Sequence, residues 1–165
     1  MTIRPFVMWP DKRLRTSVPQ VPEINDDIRA IWADMVETMD AMPGVGLAAP
    51  QIGVMMQLAV VDVTPDRSRR ILLANPVVLQ AAPEQNVYEE ASPNLPGVSA
   101  KVTRPKVVSV RYMNADGMVT RADFDGLEAT SVQHQIDHLN GRMFFDNLGR
   151  VKRDMLLRKA RKARA

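Results

Sequence analysis

Cysteine is absent from the 165 residues, and this excludes disulfides, thiolate nucleophiles, cysteine-based zinc sites and iron–sulfur clusters. Histidine occurs only as His134 and His138, so any metal would rest on imidazole and oxygen ligands. Aromatic residues make up 5% of the chain against 11 methionines, which implies a core of aliphatics and flexible thioethers. Long apolar runs are missing as well. The first 15 residues are broken by Arg4, Pro5, Pro10 and Asp11 and hold no signal-like stretch, so a cytoplasmic protein is expected. The 21 residues from Ala41 to Val61 carry no charge, yet Pro43, Gly44, Gly46, Pro50 and Gly53 punctuate them. That pattern predicts a buried loop and strand, with no membrane partner.

What is present is an ordinary globular composition, 45% hydrophobic and 25% charged, and a length that suits a single domain over residues 1–165. The net charge of +3 is unevenly placed. In residues 151–165, Lys152, Arg153, Arg158, Lys159, Arg161, Lys162 and Arg164 stand against Asp154 alone, a basic C-terminal helix or tail. Apolar spacing predicts a helix from Asp26 to Met42 capped by Asn25, and another from Gly126 to Asn140 with Asp125 and Glu128 as a capping box. A third helix, Arg150 to Arg161, carries Val151, Met155 and Leu156 as a thin apolar stripe. Strand character marks 55–63, 70–74, 106–113 and 118–124, the last two joined as a hairpin through Asn114–Gly117. Strands followed by helices indicate the α+β class.

Two stretches carry candidate chemistry. His134 and His138 lie four apart, on one helix face with Leu127 and Ser131, the spacing at which two imidazoles can grip one metal ion. A structural pair and a metal pair are equally open on spacing alone. Metal hydrolases with such a helix place a Glu base after the first His. Here that residue is Gln135, whose amide can orient water but has no site to take its proton. The loop Gly44–Gly53 lets backbone approach a ligand and offers the amide of Gln51 to an oxygen, although a tight helix-to-strand connection explains it more simply.

Taken together, Gly44-Val45-Gly46-Leu47-Ala48-Ala49-Pro50-Gln51-Ile52-Gly53 and Gln133-His134-Gln135-Ile136-Asp137-His138-Leu139 resemble the first and third signature motifs of peptide deformylases. The likeness runs over nearly the whole chain, including Pro10–Arg15, Asn75-Pro76, Glu89-Glu90 and the Asp116-Gly117 hairpin. It implies a peptide-deformylase-like α+β fold, with antiparallel sheets around a central helix carrying His-x-x-x-His, plus a C-terminal helix. The implied reaction removes the formyl group from N-terminal formyl-Met of new proteins. The resemblance further implies one divalent metal ion (Fe, Zn or Ni) on His134, His138 and a third ligand. Gln51 would stabilise the oxyanion, and Val45, Gly46, Leu47, Glu90, Leu127 and Ser131 would surround the peptide. The basic C-terminal helix would meet the ribosome and its RNA, and Glu90 with Arg104 matches an ion pair of the scaffold.

Three positions depart from that pattern. The family's Glu-Gly-Cys-Leu-Ser reads Glu90-Ala91-Ser92-Pro93-Asn94 here, so Ser92 replaces the Cys ligand. Pro93 replaces a leucine whose backbone N–H helps hold the oxyanion, and proline has none to give. Gln135 replaces the Glu base. Thr130 and Ser131 also stand where the family has more apolar residues. The expectation is a peptide- or ribosome-binding protein whose ordinary activity is lost or strongly reduced, with metal weakly held or absent. The alternative is an active divalent-metal-dependent deformylase or amide hydrolase in which Ser92, Glu89 or Glu90 supplies the missing ligand.

Overall fold

Period-two alternation along the strands sets the layers. In the computed structural model, which describes residues 2–164, strands β1 (Gly46–Ala48), β2 (Leu58–Val61), β3 (Ile71–Ala81), β6 (Val107–Met113) and β7 (Val119–Asp125) form one antiparallel sheet in the order β1-β2-β3-β6-β7. β4 (Gln85–Ser92) and β5 (Leu95–Pro105) form a separate two-stranded ladder. The helices are α1 (Asp26–Ala41), α2 (Gly126–Leu139) and α3 (Arg150–Arg164). The expected α+β class is therefore the observed one. Met1 and Ala165, the ends of the expected domain and basic tail, lie outside the described residues.

β2 is buried along its whole length because both faces are covered. Ala59 and Val61 pack with Leu73, Val110 and Phe124 beneath Ala129, Val132 and Leu139 of α2. Leu58 and Val60 face the other way, onto Trp32, Met35 and Met39 of α1. Burying each such aliphatic side chain stabilises the fold by roughly 1.5–3 kcal/mol. A third core joins α3 to β5, where Leu156 and Ala160 meet Leu95, Val98, Phe144 and Phe145. α2 thus lies between the large sheet and the β4–β5 ladder, the position from which its polar residues reach an inner cleft.

Several local expectations hold. Asn25 Oδ1 accepts from the N–H of Ile28 at 3.0 Å, starting α1. The β6–β7 hairpin turns at Asn114–Gly117, with Asn114 Oδ1 accepting from Asp116 and Met118. Gly141, φ +74°, ends the α2 segment where a Cβ would sit 2.7 Å from the backbone of Arg15. Others are corrected. Asp125 makes no side-chain cap bond, because Glu128 is drawn to Arg69 at 2.7 Å and no capping box forms. The stripe of α3 is Leu156 and Ala160, while Val151 and Met155 face outward. β3 runs on to Ala81 through a bulge at Asn75-Pro76, where the Asn75 amide binds both backbone groups of Val21. β1, β4 and β5 were absent from the sequence expectation.

Candidate active site

The two histidines meet at one atom type. Nε2 of His138 lies 3.2 Å from Nε2 of His134, as two side chains one helical turn apart can. Their supports differ. His134 Nδ1 is 2.8 Å from Glu90 Oε1, so the carboxylate accepts there and leaves Nε2 with its lone pair. Glu90 is in turn gripped by Arg104, Nε to Oε2 at 2.7 Å and Nη2 to Oε1 at 3.0 Å, while Arg104 Nη1 reaches Asp137 Oδ2 at 2.9 Å. This planar two-point pairing joins β4 to β5, and the contacts to His134 and Asp137 tie that ladder to α2. Burial pushes the Glu90 carboxyl up, but His134 and Arg104 outweigh it and hold it below the ordinary value. Nδ1 of His138, by contrast, is buried with no partner. Burial drives that imidazole well below its usual range, with the charges of His134 and Arg104 acting the same way, so it is neutral near pH 7.

Opposite this ionic wall stands a neutral one. The two-residue turn Pro93-Asn94 joins β4 to β5 and brings Ser92 opposite Leu95. Asn94 is fully buried. Its Oδ1 accepts from Gln51 Nε2 at 2.7 Å and from Ser92 Oγ at 2.9 Å. Its Nδ2 donates to the carbonyls of Val7 at 2.5 Å and Gln51 at 3.0 Å. Gln51 Oε1 accepts from the N–H of Ala48 at 2.8 Å, and its Nε2 also points at Ser92 Oγ, 3.5 Å away. Asn94 was not among the expected site residues. The turn pair Pro93-Asn94 marked where a hairpin could reverse, but not what the amide would hold.

Between the walls lies a cavity of about 450 Å³ lined by His134, Gln135, Ser131, Ser92, Pro93 and Gln51 among others. Val45 and Leu127 stand at its more exposed margin. Ser131 Oγ donates to the carbonyl of Val45 at 2.9 Å. Gly46 is required by close approach, since a Cβ there would lie 2.4 Å from Gln135 Nε2 and 2.5 Å from Ser131 Oγ. One expected residue lies elsewhere: the Leu47 side chain belongs to the core under α1, because strand alternation turns it away from the cleft. Glu90 is among the lining residues, with its carboxylate engaged by His134 and Arg104. Tyr88, Met42 and Pro43 line the cavity without having been expected. Thr130 Oγ1 and Gln135 Oε1 are buried there without hydrogen-bond partners.

A buried His-x-x-x-His helix packed against the end strand of an antiparallel sheet defines an α+β protein with a cleft at its paired histidines. Comparison with known proteins makes that class particular. The family model for polypeptide deformylase matches residues 3–154. Peptide deformylase of Rhizobium meliloti (strain 1021) is 42% identical over 165 residues, covering 99% of this chain and 95% of the relative. That of Rhodopseudomonas palustris (strain TIE-1) is 43% identical over 167 residues, with 99% and 95% covered. Among solved structures, a peptide deformylase from Legionella pneumophila superposes with a TM-score of 0.92 at 36% identity, covering 99% and 96% of the two chains. One from Ehrlichia chaffeensis in complex with actinonin gives 0.92 at 32% identity, with 99% and 98% covered. The chain belongs to the polypeptide deformylase family.

The donor set does not fit the three-ligand metal ion that the family resemblance implies. Two imidazoles converge, but among the described residues no group of three His, Cys, Asp or Glu side chains comes together to hold an ion. Glu89 accepts from Ser99 Oγ at 2.7 Å, Glu90 sits behind His134, and the Ser92 hydroxyl is spent on Asn94. His138 also lacks the acceptor at Nδ1 that metal-bound histidines ordinarily have.

Proposed function

We propose that this chain keeps the peptide cleft of a deformylase without its ordinary reaction, binding the N-terminal end of a formyl-Met peptide and holding divalent metal weakly or not at all. The observation that carries this reading is the third corner of the histidine site. Ser92, which on the family resemblance stands in for the anionic ligand, is a neutral hydroxyl already bonded to Asn94. Two further features point the same way. Pro93 has no N–H for a developing oxyanion, and a lost donor of that kind is worth ~3 kcal/mol of barrier. The Gln135 amide has no basic site for a proton, forfeiting ~10²–10⁴-fold. A peptide finds its wall in β1, the end strand of the sheet, where main-chain pairing does not depend on the altered residues.

The test is an anaerobic assay of a formyl-Met peptide with Fe²⁺, Ni²⁺, Co²⁺ and Zn²⁺, run beside a metal count and a binding titration of the same peptide. Peptide binding without metal-dependent turnover is expected, with binding abolished in Gly46→Val, whose side chain would enter the space of Gln135 and Ser131. Metal-dependent turnover would overturn the reading. The triple variant Ser92→Cys, Pro93→Leu, Gln135→Glu should bind metal more tightly and recover some deformylation.

The basic face of α3 supports a second part of the proposal, contact with ribosomal RNA. Lys152, Arg158, Lys159 and Lys162 are exposed there, free to release counterions from phosphate. Deleting residues 151–165 would also strip Leu156 and Ala160 from the third core, so the four-fold alanine variant of these cations is the cleaner test. Unchanged co-sedimentation with ribosomes at low salt would refute this contact.

A further inference from the structure

We propose that Asn94 is a positioning residue that holds the metal corner of the cleft shut, by binding the Ser92 hydroxyl and the Gln51 amide to each other's neighbourhood and to the N-terminal segment. This inference rests on the reading above that the two imidazoles lack a third ligand, and it says what keeps them so.

The argument is one of saturation. A side-chain amide has two N–H donors and two lone pairs at its oxygen. Asn94 uses all four, on the carbonyls of Val7 and Gln51 and on Gln51 Nε2 and Ser92 Oγ. The single proton of Ser92 is directed at Asn94 Oδ1, while the backbone N–H of Asn94 points back at Ser92 Oγ at 3.3 Å. Gln51 is held from both ends, its oxygen by Ala48 and its nitrogen by Asn94. Ser92 and Gln51 line the cavity, whereas Asn94 is fully buried behind them, so its amide depends on these protein partners. Turning Ser92 Oγ toward His134 and His138, or freeing Gln51 Nε2 for a ligand oxygen, would give up one of the two hydrogen bonds that Asn94 Oδ1 accepts.

Replacing Ser92 alone therefore does not restore the corner, because a side chain at that position still meets Asn94. The experiment compares Ser92→Cys with Ser92→Cys/Asn94→Ser, each titrated with Co²⁺ and followed by affinity and by the near-ultraviolet absorption of a thiolate bound to Co²⁺. The double variant is expected to bind about 10–100-fold more tightly, the range seen when a residue that orients a metal ligand is changed, and to show the thiolate band strongly where the single variant shows it weakly. Equal affinity and equal absorption would overturn the role of Asn94. Because Asn94→Ser loosens the tie to Val7, a second measurement uses the unaltered protein: exchange of the Gln51 side-chain amide protons, followed by NMR. Slow exchange is expected, and exchange at the rate of a free glutamine would refute the proposal even if the double variant fails to fold. Neither readout depends on turnover. Catalysis by the unaltered protein would overturn the proposed function, whereas equal metal binding by the two variants would overturn only this inference.

Discussion

The cleft has two polar walls, and they stay buried by different means. On the α2 side, Glu90, Arg104, Asp137 and His134 form an ionic chain in which charge is matched by charge. On the turn side, Ser92, Asn94 and Gln51 are neutral and are satisfied by counting donors against acceptors. The ionic wall is the one whose residues agree with the family pattern, and the neutral wall is where Ser92, Pro93 and Asn94 depart from it. The contrast teaches that the support beneath His134 is also a structural tie. Its cross-link between β4–β5 and α2 is reason enough for it to persist, since the fold needs that tie whether or not a metal is bound.

The largest effect should come from breaking the ionic wall. Arg104→Met leaves the Glu90 carboxylate buried with only a histidine for company, and removing one partner of a buried pair costs about 3–5 kcal/mol. The denaturant midpoint should fall accordingly, and Glu90→Gln added to Arg104→Met should recover part of the loss. A neutral wall breaks more gently. Asn94→Ala deletes four hydrogen bonds, but Gln51 and Ser92 can still turn toward one another, so a loss of about 1–3 kcal/mol is expected. If Asn94→Ala proved the more damaging, the ranking of the walls would be reversed.

The same contrast explains what the sequence disclosed. The α2 helix and its histidine pair were legible because their signal is local, whereas the Glu90–Arg104 pair, 14 residues apart, was reached through the family resemblance. Asn25 likewise caps α1 by accepting from an N–H only three residues on, at Ile28, and His134 and His138 share a face by spacing alone. The neutral wall was not legible, because Asn94 finds its partners 87 and 43 residues away, at Val7 and Gln51. β4 and β5 were hidden for a related reason. No strand was expected between 74 and 106, where Pro93, Pro96 and Gly97 weaken strand character, and only pairing across the turn makes a ladder there. Leu47 was misassigned because the Gly44–Gly53 segment looked like one continuous loop, whereas its centre is a strand that alternates Gly46 and Leu47 between opposite faces.

Titration separates the walls by the protons each can take up. His138 stays neutral in the fold, its value being lowered, while in the unfolded chain it takes up a proton below about pH 6.5. The unfolded state then binds more protons, so stability is full above that pH and declines as the pH falls. Glu90, also lowered in the fold, adds a further loss as pH falls through the carboxylate range. One proton contributes at most about 1.4 kcal/mol per pH unit. Stability measured from pH 7.5 to 5 should therefore slope downward, flatten in His138→Gln, and keep its slope in Asn94→Ala, since nothing in the neutral wall titrates.

The smallest change expected is Ser92→Ala. The serine donates one hydrogen bond to Asn94 and accepts two longer ones, but Asn94 Oδ1 keeps Gln51 Nε2 at 2.7 Å when it is gone. Only the backbone N–H of Asn94, already 3.3 Å from that oxygen, loses an acceptor, so the loss should stay near an ordinary bond, about 0.5–1.5 kcal/mol. Chelator should leave the melting temperature of both proteins unchanged, because the neutral wall needs no ion to stand. A Ser92→Ala loss equal to that of Asn94→Ala would move the centre of the wall from the amide to the hydroxyl. A chelator effect on the unaltered protein alone would show that Ser92 holds a metal after all, and that the two walls meet on it.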